Sequence, residues 1–408
     1  MNVAVSIIGL AILILLHEAG HFFVARAVGM SPRRFYLGFP PALVKMQRKG
    51  IEYGIGAIPL GGYVKIPGMH RPAPSDVDVQ LGPALKEDPR LFPKASRVQR
   101  ALESGDLAEA REQLPELERA VAEAELSPAA ARAAERCLTE LRDGLGSDAY
   151  WRQPTWKRVA VIFAGPGTNI LLAVALVFVA YLIGVPGDTN TTVKKVEPNT
   201  PAQSIGLHAG DTIVEVNNKP TPNFDAVSAA IRGSNGHPVS VTVLRHKEAR
   251  MLGPVRPKKS GDRYILGFEP GWDTKQYGVG GALEHSLGDN WRATKATATF
   301  LPRLVTSSGR KQVSGPTGIV DVSQQVISVS FSWYLWVTGL VSLSLALLNL
   351  LPLLPLDGGH ILFSIVEGVR RRAVGREVYE RVSAIGIALF LVLLFIGLSN
   401  DINRLGGG

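Results

Sequence analysis

The sequence predicts a multi-pass α-helical membrane protein with four transmembrane helices, an extracytoplasmic α+β domain and a small cytoplasmic helical insertion. Two observations carry that reading. Apolar residues gather into four blocks, each near the roughly 20 residues that cross the hydrocarbon layer. Basic residues collect beside those blocks, on what becomes one side if all four cross. Composition agrees. The 46% hydrophobic share is ordinary on average but unevenly spread, and the 19% charged share lies below the roughly 25% of soluble proteins. The net charge of +9 fits an anionic membrane surface. No basic stripe with interleaved aromatics suggests nucleic acid. A single cysteine, Cys137, excludes a disulfide within the chain and reads as an apolar filler in an Ala-rich helix.

The first span falls within residues 1–29. No Lys or Arg precedes its apolar run and no small-residue cleavage site follows it, so it reads as a retained span rather than a signal peptide. The second span is assigned to 156–185, the third to 331–360 and the fourth to 382–399. Arg26 lies near the end of the first span and Arg33, Arg34, Lys45, Arg48 and Lys49 after it; Arg152, Lys157 and Arg158 come just before the second apolar block at Val159; Arg370, Arg371, Arg372, Arg376 and Arg381 sit in a loop at 361–381. All three clusters share a side, which the positive-inside rule makes cytoplasmic. Both termini and the long 186–330 segment are then expected outside.

The first cytoplasmic loop has two parts. Residues 30–70 contain IEYGIGAIPLGGYVKIPGM at 51–69, whose Gly/Pro punctuation and Tyr, Ile and Val content suggest a membrane-associated β-hairpin. Residues 71–155 are rich in Ala, Glu, Arg and Leu. Leu107, Ala110, Leu114 and Leu117 recur at helical spacing, and Asp106 and Ser127 are expected N-caps. Over 95–146, two or three amphipathic helices are expected, arranged as a small hairpin that is either a solvated spacer or a partner site.

The first span carries His17-Glu18-Ala19-Gly20-His21. Residues four apart lie on one helix face, so two imidazoles can grip one metal ion, with Glu18 placed as general base for a water. Ionisable residues inside an apolar span are costly and mark function. A catalytic zinc takes a third protein ligand. The best candidate is Asp357, in NLLPLLPLDGGH at 349–360, a carboxylate beside leucines that needs a charge partner. Pro352 and Pro355 interrupt helical hydrogen bonding, and Gly358 and Gly359 are expected to let the backbone bend. His360 is a further candidate ligand or acid, ranked below Asp357. Orientation from Lys and Arg alone brings His17 and Asp357 to similar depth, near the cytoplasmic face.

These residues resemble the bacterial site-2 proteases, of the regulator-of-sigma-E protease type. The matching pieces are HEAGH at 17–21, PLGGYVK at 59–65, WKR…AGPGTN at 156–169 and NLLPLLPLDGGH at 349–360. The resemblance implies a Zn2+-dependent intramembrane endopeptidase in the bacterial inner membrane, with zinc on His17, His21 and Asp357 and catalysis by Glu18. It implies that Asn169 and Asn349 hold the extended substrate or its oxyanion. The implied activity is regulated intramembrane proteolysis of single-pass membrane proteins, such as anti-sigma factors or signal-peptide remnants. Two features depart from the pattern: Pro352 and Pro355 stand three apart rather than two, and the 71–150 stretch has no counterpart.

Outside the membrane, residues 189–270 show alternating strands at 212–216 and 239–244 and a helix near 224–231. Pro201-Ala202 to Gly206-Leu207, then Ala209-Gly210-Asp211, resembles a PDZ domain of the protease-associated type. Such a groove implies capture of a peptide by strand addition, or a gate against bulky substrates. Within 271–330, Leu283, Leu287, Trp291 and Ala298 suggest an amphipathic helix on the bilayer surface, and 314–319 resembles the family's connector. The competing reading is a catalytically inactive, PDZ-bearing membrane scaffold.

Overall fold

The computed structural model describes residues 2–260, 263–300 and 330–406, with isolated positions 302, 303, 306, 310, 318 and 326 between them. The connector expected at 314–319 therefore lies almost wholly outside the described residues. The chain divides into two compact units: residues 1–177, 287–328 and 337–408 form the first, and residues 178–286 and 329–336 the second.

The first unit begins with α1 (Asn2–Ala27). Two long strands follow, β1 (Arg34–Arg48) and β2 (Ile51–Lys65). Both bend. Residues 34–37 pair with 62–65 on one side and with 52–55 on the other, while 44–48 pair with 51–55. The result is more folded than a simple hairpin. Aromatic rings seat it on α1, with Phe22 lying 5.3 Å from Phe35 and 6.1 Å from Tyr53 between ring centres. Phe39, Leu43, Val44, Met46, Ile55 and Ile58 remain exposed on this sheet, an apolar surface of the kind that marks a membrane or a partner.

The insertion holds four helices: α2 (Pro74–Glu87) and, over the stretch where two or three were expected, the three helices α3 (Phe92–Ser104), α4 (Leu107–Glu123) and α5 (Pro128–Leu145). The extra break is a 3-10 turn at Pro89–Leu91, capped by the Asp88 side chain. Asp106 Oδ1 accepts from the Ala108 and Glu109 N–H groups, and Ser127 Oγ from that of Ala130. Successive helices pack on one another and α5 returns to α2. Val77, Leu81, Val98, Leu114, Leu117, Cys137 and Leu141 fill a shared core. Burial pushes the Cys137 thiol, which also faces Glu140, up to about 12. It stays protonated, as suits a packing residue.

Among the described residues, four helices are long and apolar enough to cross a membrane: Ala4–Ala27, Thr155–Ile183, Phe331–Asn349 and Val378–Ile402. Their exposed side chains include Ile7, Ile12, Phe23, Leu171, Ile385 and Phe395, which only an apolar solvent accommodates without penalty. The second of these helices is α6 (Thr155–Ile183). Two expectations near the C-terminus need correction. The third apolar helix stops at Asn349 rather than running through 360, and residues 361–381 are mostly helical rather than a loop. Leucines continue past Asn349, but Pro352 and Pro355 lack the N–H that would extend the helix. Residues 357–370 then form a separate amphipathic helix, and only 371–375 separate it from the last helix.

The second unit is built on strands β3 (Val185–Val196), β4 (Thr212–Val216), β6 (Val239–Arg245), β7 (Glu248–Val255) and β10 (Phe268–Lys275). Their antiparallel order is β10-β3-β4-β6-β7, with short β5 (Lys219–Pro220) beside β4. A separate hairpin joins β8 (Lys258–Ser260) to β9 (Arg263–Ile265). The helices are the single turn α7 (Pro201–Ser204) and α8 (Phe224–Gly233), the latter capped by Asn223. Alternation along β6 buries Val239, Val241 and Val243 against Ile213, Val216, Val227 and Ile231. Helix α9 (Val279–Phe300) follows, its residues from Leu287 on belonging to the first unit, and Leu283, Leu287 and Trp291 are exposed along it.

One ion pair in this unit is nearly sealed from solvent. Asp211, 1% exposed, accepts from Arg245 Nε and Nη2 at 2.7 Å each and from the His208 N–H at 2.8 Å. Burial alone raises a carboxyl, but these donors outweigh it and hold Asp211 below its usual range. A depressed carboxyl stabilises the fold above its unfolded value of about 4 and loses that contribution as pH falls through the folded value. Asp211→Asn is therefore expected to cost about 2 kcal/mol near pH 7, read as roughly 30-fold faster hydrogen exchange at β4 and β6. The gap to wild type should shrink as pH drops below about 4; a gap independent of pH would contradict the assignment.

Candidate metal centre

The His17 and His21 rings leave α1 one turn apart on the same face. They are 8% and 6% exposed. Their Nε2 atoms stand 3.3 Å apart, and Asp357 Oδ2 lies 3.2 Å from the first and 3.4 Å from the second. Neither approach to Oδ2 is aligned as a hydrogen bond. The three donors thus form a nearly equilateral triangle. Zinc–ligand bonds of about 2.0–2.1 Å at tetrahedral angles place neighbouring ligand atoms about 3.3–3.4 Å apart. The residues present fit such an ion. The His21 Nδ1–H donates to the Val161 carbonyl on α6 at 2.8 Å, which leaves Nε2 as the lone-pair nitrogen turned into the triangle.

Asp357 does not end the third apolar helix. Helix α10 (Phe331–Asn349) is followed by turns over 350–356, and Asp357 opens α11 (Asp357–Arg370). Gly358 and Gly359 are helical, and neither has a positive φ. Their service is therefore not a backbone bend. A Cβ on Gly359 would stand 2.6 Å from the Leu354 nitrogen and 2.7 Å from the Leu353 carbonyl carbon, so bare α-carbons let the 350–356 turns fold back onto the first turn of α11. That contact sets the position of Asp357.

Gly165 on α6 faces the donors. A Cβ there would lie 2.7 Å from His21 Cε1 and 2.8 Å from His17 Nε2, filling the space around which the triangle is built. Glu18 is half-buried. The Val64 backbone N–H is directed at its carboxylate, and Gly62 of β2 passes so close that an added Cβ would stand 2.8 Å from Glu18 Cγ. Strand β2 therefore lies directly over the glutamate. Gly62, Val64, Val161 and Gly165 were not singled out in the sequence as site residues. Gly62, Val64 and Gly165 sat inside recognisable motifs, but a backbone carbonyl or amide has no side-chain signature.

The remaining expected residues fall differently. Asn169 on α6 is 1% exposed, and its Oδ1 has no hydrogen-bond partner among the described residues. Its carbonyl accepts from Ser342 Oγ at 2.9 Å. Asn349 is the last residue of α10 and half-buried. His360 stays outside the triangle, with its Nδ1 2.7 Å from the hydroxyl of Tyr379, a residue of α12 (Arg376–Gly406).

Fold and cluster together define a class: a helical membrane protein with a candidate metallopeptidase centre. Comparison with known proteins agrees. The sequence pattern of peptidase family M50 matches residues 5–393, and the chain belongs to that family. It is similar to the regulator of sigma-W protease RasP of Bacillus subtilis, with 27% identity over 96% of each chain. It is also similar to the zinc metalloprotease RasP of Oceanobacillus iheyensis, with 26% identity over 99% of each. A putative zinc metalloprotease of Campylobacter jejuni shares 26% identity over 98% of this chain and 93% of its own.

Gly165→Ala should lower metal affinity at least about tenfold, on the scale of a disturbed ligand shell, while α6 stays helical. Metal content of the purified protein by mass spectrometry, beside circular dichroism, checks this. Full metal occupancy in the variant would refute the steric assignment.

Proposed function

We propose that the chain is a zinc-dependent intramembrane endopeptidase that performs regulated intramembrane proteolysis of single-pass membrane proteins. One observation carries the reading: three donor atoms 3.2–3.4 Å apart next to a glutamate, on a helix apolar enough to cross a membrane. His17, His21 and Asp357 hold the zinc. Zinc in such a site supplies Lewis-acid polarisation of a peptide carbonyl and acidifies water.

Glu18 takes a proton from the attacking water as its oxygen bonds to the carbonyl carbon. When the C–N bond breaks, the same carboxyl returns the proton to the leaving amine. The Val64 N–H aimed at Glu18 holds that carboxylate in place. The 62–65 edge of β2 pairs only with 34–37 among the described residues. Its other edge is the natural place for an extended substrate chain to add as a strand beside the glutamate. Asn169, a buried carboxamide whose Oδ1 has no partner among the described residues, accepts there from a substrate N–H or donates its Nδ2–H to the oxyanion; Asn349 is assigned the same part on resemblance alone.

The substrates are anti-sigma factors or signal-peptide remnants, a reading supported by similarity to a regulator of sigma-W protease. The protein resides in the bacterial inner membrane, with its termini and the 189–270 domain outside and the zinc near the cytoplasmic face. That domain is PDZ-like. The antiparallel order of β3, β4 and β6 with α8 packed on β3 and β4 supports this, and its groove binds a peptide or screens substrates by size.

Glu18→Gln should keep zinc at one ion per chain and lose about 10²–10⁴-fold in cleavage rate, measured on a purified membrane-protein substrate in detergent. Chelation should abolish wild-type cleavage, and added zinc should restore it. Cleavage by Glu18→Gln at the wild-type rate sinks the proposal, as does a wild-type chain that binds no zinc.

A further inference from the structure

The helical insertion grips the sheet that lies over Glu18. Its anchor is Asp143 on α5, 5% exposed. Arg33 Nε donates to Asp143 Oδ1 at 2.9 Å, and the Lys65 ammonium stands 3.1 Å from Oδ2. Arg33 directly precedes β1 and Lys65 ends β2, and the Arg33 N–H donates to the Lys65 carbonyl at 2.7 Å. One carboxylate thus ties the start of β1 and the end of β2 to the insertion. Arg33 Nη1 also reaches Asp148 at 3.1 Å.

The seam continues past Lys65. The Tyr150 N–H donates to the Pro67 carbonyl at 2.9 Å and the Trp151 N–H to that of Gly68 at 3.1 Å. The Trp151 indole N–H donates to the Gly144 carbonyl at 2.8 Å. Residues 65–68 are therefore held along the 143–151 segment. One residue before Lys65 is Val64, whose N–H faces Glu18, and two further back is Gly62, in contact with the Glu18 side chain.

We propose that Asp143 is a positioning residue for the catalytic centre: by pairing with Arg33 and Lys65 it fixes strand β2, and with it the Val64 amide, against Glu18. The insertion is then part of the catalytic apparatus rather than a solvated spacer. A buried carboxylate facing two cations is costly to break from either side, because the survivors keep their desolvation cost without the attraction. Loss of Asp143 leaves Lys65 to seek solvent, and the end of β2 moves with it. Displacements of about 1 Å at a catalytic group cost around 10²-fold in rate. The inference rests on the reading of Glu18 as the base.

The test uses the full-length protein in detergent as wild type, Asp143→Ala, Asp143→Glu, Lys65→Gln and Glu18→Gln. Hydrogen exchange reports on residues 60–66 without reference to activity, and steady-state cleavage separates kcat from KM. Asp143→Ala should speed exchange over 60–66 and lower kcat about tenfold or more, with zinc retained and a smaller rise in KM, since the same strand edge receives the substrate. Asp143→Glu should restore much of kcat. Lys65→Gln leaves Arg33 paired with Asp143 and should give the same changes at smaller amplitude, which guards against misfolding of Asp143→Ala. Unchanged exchange over 60–66 in both Asp143→Ala and Lys65→Gln overturns the proposal whether or not the protein cleaves. Unchanged kcat in Asp143→Ala, beside an inactive Glu18→Gln, overturns it while leaving the protease reading intact. Normal cleavage by Glu18→Gln overturns that reading and the positioning role together.

Discussion

Two imidazoles and a carboxylate set among apolar helices form the constraint on which the rest of this structure depends. Charged and polar groups removed from water are costly unless each meets a complementary group, so His17, His21 and Asp357 must converge. The first two do so through helical spacing alone. The third arrives from 336 residues further along the chain, since Asp357 pairs with His21. Much of the neighbouring backbone follows from that meeting. Helix α6 passes the donors with Gly165, where a larger residue would fill the centre. It offers the Val161 carbonyl to the outer nitrogen of His21. The 350–356 turns sit on the glycines that follow Asp357, so a loop fixes the carboxylate as firmly as a helix fixes the imidazoles.

What could be read from sequence divides along the same line. The histidine pair was legible because its geometry is local, and Asp357 because a lone carboxylate beside leucines demands a partner. The end of α10 was not. Leu350, Leu351, Leu353 and Leu354 carry apolar character unchanged through the break, and hydropathy does not distinguish a helix from turns. Conversely, Arg370 to Arg372 suggested a polar loop, although the preceding HILFSIVEGV already carried the apolar face of α11. In the insertion, the caps at Asp106 and Ser127 were visible as residue types. The break at Pro89 was not, because it falls between two short amphipathic stretches. The double pairing of residues 34–37 is a non-local fact, and no periodicity within one strand encodes it.

The molecule uses two kinds of cohesion. The insertion and the 185–275 sheet are built like soluble domains, with capped helices, alternating strands and cores of Val, Leu and Ile. Burial drives them together. The spans have no such force between them, since lipid is as apolar as their side chains. They rely on small residues and polar links. Gly20 faces Ala164 and Thr168, and Gly339 faces Ala173 and Val177. Ser342 donates to the Asn169 carbonyl. Polar links also tie α11 to the chain at and before the start of α6: Arg158 pairs with Glu367 at 2.6 Å, and Tyr150 meets Ser364 at 2.9 Å.

This contrast gives the seam beside Asp143 its place in the architecture. Helices that associate only by close packing and a few hydrogen bonds leave little to hold a short strand over Glu18. The sheet formed by β1 and β2 exposes apolar side chains on its outer part and gains nothing from lipid that would fix its register. A domain with its own hydrophobic core is a firmer support. It folds by burial, presents one carboxylate that is almost fully enclosed, and transfers its rigidity to the strand through Arg33 and Lys65. The pieces that appear unrelated in sequence, an Ala-rich helical stretch and an HExxH span, are thereby joined into one site.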